Sequence, residues 1–375
     1  MQIEEFSRIG DVPAAEWDAL EGNHVMSSTG WLQLMESCEK EQYPMRYVVA
    51  RDRQGIAGAV IARLRDTAKL NNPNYALFGK LAQVADLAGL GAMPALVCGP
   101  YAPVGSPILV RPGIAATDRD RVMDALLYHL EQMGDAQGRT VMFRNVLAGS
   151  FARQALEQHG FLATKDWPMA YMDRQWDTFR EYRTWLRKHH KSTENNVAQE
   201  ASRARKSGLT MGPLDLADAR AWSSQVHALF DSHFLRLGDE KFPYTEDFWG
   251  GLHRYLGDHA IVNAASVGNE MVGAALILKW QDSLHMVSVG IDAERGLPVS
   301  AYSNLTYNYA IDIGVQMKAS RFLYGRSKYR HKIRRGCQLE ESFLYLRPKG
   351  LLRKLVWSRM FPMRSRVVDR KAAAG

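Results

Sequence analysis

Ile261-Val-Asn-Ala-Ala-Ser-Val-Gly-Asn-Glu-Met-Val-Gly-Ala-Ala-Leu-Ile-Leu-Lys-Trp280 is the stretch on which the rest of the chain is read. Two β-prone runs, 261–267 and 271–280, meet at Gly268-Asn269, a pair suited to a hairpin turn. Gln281-Asp-Ser283 turns again into a third strand, 284–292. Upstream lie a short strand at 209–211 and two helices, 215–237 and 245–256. Downstream, Gly296-Leu-Pro298 breaks the chain, a helix runs from Ser300 to about Met317, and strands follow at 321–326 and 342–346. The first half has the same order. A strand at 2–8, helices after Pro13 and after Ser28 or Thr29, and a hairpin of 45–50 with 56–62 precede an amphipathic helix at 118–133. A strand at 140–143, a helix at 151–159 closed by Gly160, and extended chain at 161–172 complete it. Residues 66–107 hold loops, Asn71-Asn-Pro-Asn and Gly99 to Pro107, around at least one strand. Elements repeat; letters do not.

This predicts a mixed-sheet α/β fold used twice in tandem. The domains would be residues 1–173, a basic helical connector at 174–208, a second domain at 209–349, and a basic amphipathic tail at 350–375. A chain of 375 residues supports two domains, and 46% hydrophobic content supports real cores. Three widely spaced cysteines form neither a metal-ligand spacing nor a disulfide framework, which points to a reducing cytoplasm. The first residues resemble no secretion signal, and no window is apolar enough to span a bilayer. The net charge of +8 favours an anionic partner: a nucleotide, RNA, an acidic carrier protein or a lipid surface.

The densest charge follows the strand at 321–326. Arg326, Lys328, Arg330, Lys332, Arg334 and Arg335, with His331, stand without an acid between Gly325 and Gly336. Such a turn is either a solvated loop or a rim that holds an anion. The helix start at Ser300, beside the end of the strand 284–292, is a place where backbone amides meet an anion or oxyanion. Asp292 ends that strand and is a candidate base; Tyr302 in the first turn and Tyr324 before the basic turn are candidates to present a hydroxyl. His285 falls on the apolar side, as a core or lining residue. Asp312, in an apolar helix, is expected to pair with Arg326 or Arg335. The connector is basic and His189-His190 lacks a third ligand, so a metal is not expected there. The tail has three readings: packing on the protein, covering the acceptor site, or lying on an anionic membrane.

No nucleophile elbow, phosphate-binding glycine loop, dinucleotide fingerprint or zinc motif is found. What remains is a chemistry of positioning and oxyanion stabilisation, and acyl transfer to an amine fits it. The element order resembles the GNAT acyltransferase fold, and its duplication resembles the Fem-type aminoacyltransferases and their relatives in peptidoglycan biosynthesis. Ala15-Glu-Trp-Asp-Ala-Leu20 with Ser27-Ser-Thr-Gly-Trp-Leu32 is similar to their first helices. Tyr324-Gly-Arg326 with Lys332 and Arg335-Gly336 is similar to their closing segment. The resemblance implies that Tyr324, Arg326, Lys332 and Arg335 line a groove of the second domain and that the first domain is mostly scaffold. Ser300, Arg326, Lys328, Lys332 and Arg335 are then the donor-binding set, and Asp292, Tyr302 and Tyr324 the catalytic set. Glu294-Arg-Gly-Leu-Pro-Val-Ser300 stands where ordinary acetyl-CoA enzymes carry a glycine-rich pyrophosphate loop. This favours aminoacyl-tRNA or an acyl-carrier protein over acyl-CoA as donor, with a small amine as acceptor. A non-catalytic binder of RNA or acidic glycan is the rival reading, and a lipid acyltransferase held at a membrane by the tail is a third.

Overall fold

The structure, a computed structural model, describes residues 1–39, 43–66, 90–100, 102, 104–238 and 241–374. The loop expected at Asn71-Asn-Pro-Asn and residues Tyr101 and Pro103 of the second expected loop lie outside them. The chain divides into two compact units. Unit 1 draws on Met1–Glu36, Glu41–Pro168 and Glu340–Ala374, and unit 2 chiefly on Met169–Leu339.

Unit 1 contains strands β1 (Gln2–Phe6), β2 (Met45–Asp52), β3 (Gly55–Arg65), β4 (Ala95–Cys98), β5 (Leu109–Val110) and β6 (Thr140–Leu147), with helices α1 (Ala14–Asp18), α2 (Thr29–Cys38), α3 (Ala116–Ala136) and α4 (Ala152–Gln158). Strand β7 (Leu162–Asp173) leaves unit 1 at Met169, and β13 (Gln338–Arg347) enters it at Glu340. The strand order is β1-β2-β3-β4-β6-β13, with β5 beside β3. Helix α3 buries Val122, Leu126, Leu127 and Leu130 against Val48, Val60, Phe143 and Tyr345. That stripe is the helical period read from the sequence.

Unit 2 begins with helices α5 (Phe179–His189) and α6 (Lys191–Lys206), then β8 (Leu209–Pro213), α7 (Ser223–Arg236) and α8 (Asp247–Leu256). Strands β9 (Ala260–Val267), β10 (Glu270–Trp280) and β11 (Ser283–Ile291) form the expected meander. Its sheet runs β7-β12-β11-β10-β9-β8, with β12 at Arg321–Gly325. Helix α9 joins β11 to β12 in three continuous runs: α-helical Ala301–Ser303, π-helical Asn304–Asn308 and α-helical Tyr309–Gln316. Its Ala301 and Leu305 pack on Ala265, Val272, Ala275 and Ile291. On the other face α7 lies close over β11: a Cβ at Gly290 would stand 2.7 Å from the Phe230 amide nitrogen and 2.8 Å from the Leu229 carbonyl carbon. No larger residue allows that approach.

Three segments take a more definite form. The connector at 174–208 belongs to unit 2, as two helices broken at His190, whose φ of −143° is not helical. The tail is a single helix, α11 (Leu351–Ala374), and belongs to unit 1. The cationic segment is not all turn, because residues 329–334 form helix α10 (Tyr329–Arg334).

Candidate active site

Strands β11 and β12 run parallel but pair over only three rungs, from Ser283↔Arg321 to His285↔Leu323, although β11 continues to Ile291. Just past His285, β11 carries a bulge. Leu276 of β10 faces Ser288 and Ile277 faces Met286, so Val287 is the extra residue. A bulge bends its strand and re-aims the edge. Among the described residues, β11 beyond this point has no paired strand on the β12 side. The sheet parts there, and the unpaired strand edge is suited to holding an extended ligand.

Helix α9 and helix α10 flank the parting and are joined by one buried polar chain. The Asn304 amide donates to the Ser300 carbonyl at 2.9 Å, and Asn308 Nδ2 donates to Asn304 Oδ1 at 3.1 Å. Arg335 Nη1 donates to Asn308 Oδ1 at 3.2 Å, and Arg335 Nη2 reaches both Glu200 oxygens at 2.7 Å. Arg335 is 1% exposed and lies 4.4 Å over the Tyr307 ring. Both asparagines belong to the π-helical run, a rare winding that is frequent at functional sites. Ser300 and Arg335 of the basic segment are therefore linked through Asn304 and Asn308 within unit 2.

Several assigned roles change in detail. Arg335 is not poised to clamp a donor, since Glu200 of α6 holds its guanidinium inside. Asp312 pairs with neither Arg326 nor Arg335; it is half-buried and accepts from Gln316 at 3.2 Å. Lys332 is 6% exposed and donates to the carbonyls of Tyr324, Gly325 and Arg326 at 2.6, 3.2 and 2.9 Å. Burial pulls its pKa down to about 8, against which three carbonyl dipoles hold the ammonium. Lys332 thus fixes the end of β12. Lys328 is exposed, in left-handed conformation at the start of α10, and Arg326 is half-buried.

Ser300 is left-handed (φ 63°), and its side chain makes no capping bond. Its own amide donates to Leu297 O and that of Ala301 to Gly296 O. Asp292 binds the turn between: its carboxylate accepts from the Glu294 and Arg295 amides, both at 2.9 Å, and from Arg295 Nε at 2.8 Å. These bonds, the Arg295 amide foremost, hold its pKa below the usual carboxylate range, which makes it a poor base. The amides of Asp292, Glu294, Arg295, Gly296, Ser300 and Ala301 are thus engaged within or beside this turn, and a carboxylate stands among them.

Tyr324 is 5% exposed, at the end of β12, with its ring 5.1 Å from that of Tyr307 and nearly parallel to it. Its hydroxyl has no hydrogen-bond partner among the described residues. Burial pushes its pKa well above the ordinary tyrosine value, so it remains a proton donor. Burial also raises Tyr302, which stacks on His233 at 6.2 Å. His285 is buried, as its place in the pattern required. The residues missed in the sequence are Glu200, Asn304, Asn308, Tyr307 and His233. The Asn304/Asn308 pair, one turn apart in an apolar helix, was the available signal.

Two buried histidines, His233 and His285, are expected to make the fold acid-labile. Burial, then the charge of Arg236 or Lys332, lowers each pKa from 6.5 to about 4. The unfolded chain therefore takes up these protons first as pH falls. Stability is full above pH 6.5, declines between 6.5 and 4, and loses about 3 kcal/mol per histidine by pH 4. Melting midpoints measured across this window should fall with pH, and His233→Gln should flatten part of the slope.

The FemAB_like family, described as peptidoglycan biosynthesis/recognition, matches residues 8–351. No curated protein matches the sequence. Among solved structures, FemX aligns at 10% identity over 96% of this chain and 99% of its own, with a TM-score of 0.58. A tandem GNAT protein from the clavulanic acid biosynthesis pathway aligns at 12% identity over 93% and 99%, with a TM-score of 0.50. L-PGS from Bacillus licheniformis aligns at 13% identity over 88% and 90%, with a TM-score of 0.50. Identities this low speak for the fold alone, and the fold is the duplicated GNAT architecture. The chain belongs to the FemAB_like family.

Proposed function

We propose that the protein transfers an aminoacyl group from aminoacyl-tRNA to a small amine of a peptidoglycan precursor, at the parting of β11 and β12. The observation that carries this reading is the closed turn 292–301. With six of its amides engaged and Asp292 among them, it offers a pyrophosphate a poor cradle, while the exposed Lys328, Arg330 and Arg334 suit a polyanionic donor such as a tRNA. The amine lone pair attacks the ester carbonyl, the C–N bond forms and the C–O bond to the tRNA ribose breaks. Tyr324 donates its proton to the departing ribose oxygen and regains one from the amine. Tyr302, at the start of α9, orients the amine; Arg326 and Lys328 steer the donor. The bound turn removes Asp292 from this scheme, and Ser300 serves through its carbonyl rather than its amide.

A mass-spectrometric assay of amide product, with a panel of amines against charged tRNA, acyl-carrier protein and acyl-CoA, tests the reading. Product with charged tRNA alone is expected. Product with acyl-CoA overturns the donor assignment, and silence with all three overturns the reading as a whole.

A further inference from the structure

Helix α11 carries seven basic residues and one acid, so six of the chain's eight net positive charges sit in its last segment. Its inner face is fastened. Trp357 and Phe361 pack on Met142, Leu344 and Leu346, and Arg364 Nη2 reaches the buried Asp166 at 2.8 Å. Thr164 Oγ1 donates to Phe361 O at 3.0 Å, and the lone acid, Asp369, is paired with Lys165 at 2.9 Å. The helix is therefore held with a defined outer face. Leu352, Leu355, Arg359, Met363, Arg366 and Arg370, spaced by threes and fours, form one stripe there. Leu351 is 86% exposed, Leu352 61%, Leu355 56%, Met363 51% and Val367 49%. A helix that needed only to pack would not keep these side chains in water.

We propose that this face of α11 is a docking surface for an anionic lipid bilayer, with the leucines entering the headgroup boundary and the arginines meeting lipid phosphates. The interleaving of aliphatic and basic residues selects the partner. A nucleic acid would give the exposed leucines no apolar contact, and a second copy of the helix would set like charges face to face. No described helix is long and apolar enough to cross a membrane, so the contact is with the surface. The inference is independent of the acyl donor and acceptor.

Co-sedimentation of the full-length chain with vesicles tests it. Binding is expected to phosphatidylcholine vesicles containing about a third phosphatidylglycerol, to weaken at least tenfold on pure phosphatidylcholine, and to fall with salt. Leu352→Asp with Leu355→Asp, and separately Arg359→Glu with Arg366→Glu, should each lose binding at least tenfold while keeping the wild-type melting midpoint. Arg205→Glu with Lys206→Glu, on the exposed basic side of α6, should change it little. Equal binding to both vesicle types, no binding, or unaffected α11 variants would overturn the proposal. So would a dimer, seen by sedimentation velocity, that Leu355→Asp dissociates.

Discussion

Replacing Arg335 by methionine should lower stability by about 3–5 kcal/mol, the cost of leaving one member of a buried ion pair without the other. Glu200, 6% exposed, would keep two carboxylate oxygens that now receive the guanidinium at 2.7 Å, and only Asn308 Nδ2 at 3.3 Å would remain to them. The substitution also removes the cation from over the Tyr307 ring and the bond to Asn308. Urea unfolding should show a lower midpoint with an unchanged slope. The double variant with Glu200→Met should recover most of the loss, because two matched apolar side chains have no charge to strand. If Arg335→Met alone unfolds like the wild type, the pair does not hold the site. If the double variant is as unstable as the single, the loss comes from packing around Tyr307 instead.

The same pair shows where the sequence stopped being readable. The meander of β9, β10 and β11 was legible because alternation, two turns and strand length agree locally, and the register pairs Glu270 with Val267 across the expected turn. Helix α9 was legible as a helix, but its π-helical run was not, since nothing in Asn304–Asn308 forbids ordinary winding. The basic segment was legible as a feature and misread in part. Six cations within ten residues do not say which of them turn inward; that depends on an acid 135 residues away in sequence, Glu200, and on carbonyls that Lys332 finds only once β12 has ended. Ser300 is similar. Its residue type suits a helix cap, but the tight turn tied by Asp292 forces it into a left-handed conformation, and its side chain caps nothing. Local rules placed the elements, and long-range charge pairing decided the side chains.

Tyr324→Phe should separate chemistry from folding. The change removes one oxygen that has no hydrogen-bond partner among the described residues, so stability should hold or rise slightly, an orphaned buried hydroxyl costing about 1–3 kcal/mol. The ring keeps its place against Tyr307, and the carbonyl that Lys332 holds is untouched. Transfer should suffer far more: a lost proton donor to the leaving oxygen lowers kcat by about 10²–10⁴, with KM nearly unchanged because the hydroxyl acts on the bond being broken. The defect should shrink with an aminoacyl ester whose alcohol is acidic enough to leave without a proton. A matching fall with every donor would instead give the hydroxyl a part in holding the acyl carbonyl. An unchanged kcat would remove Tyr324 from the reaction and leave the parting of β11 and β12 with Tyr302 as its remaining candidate hydroxyl.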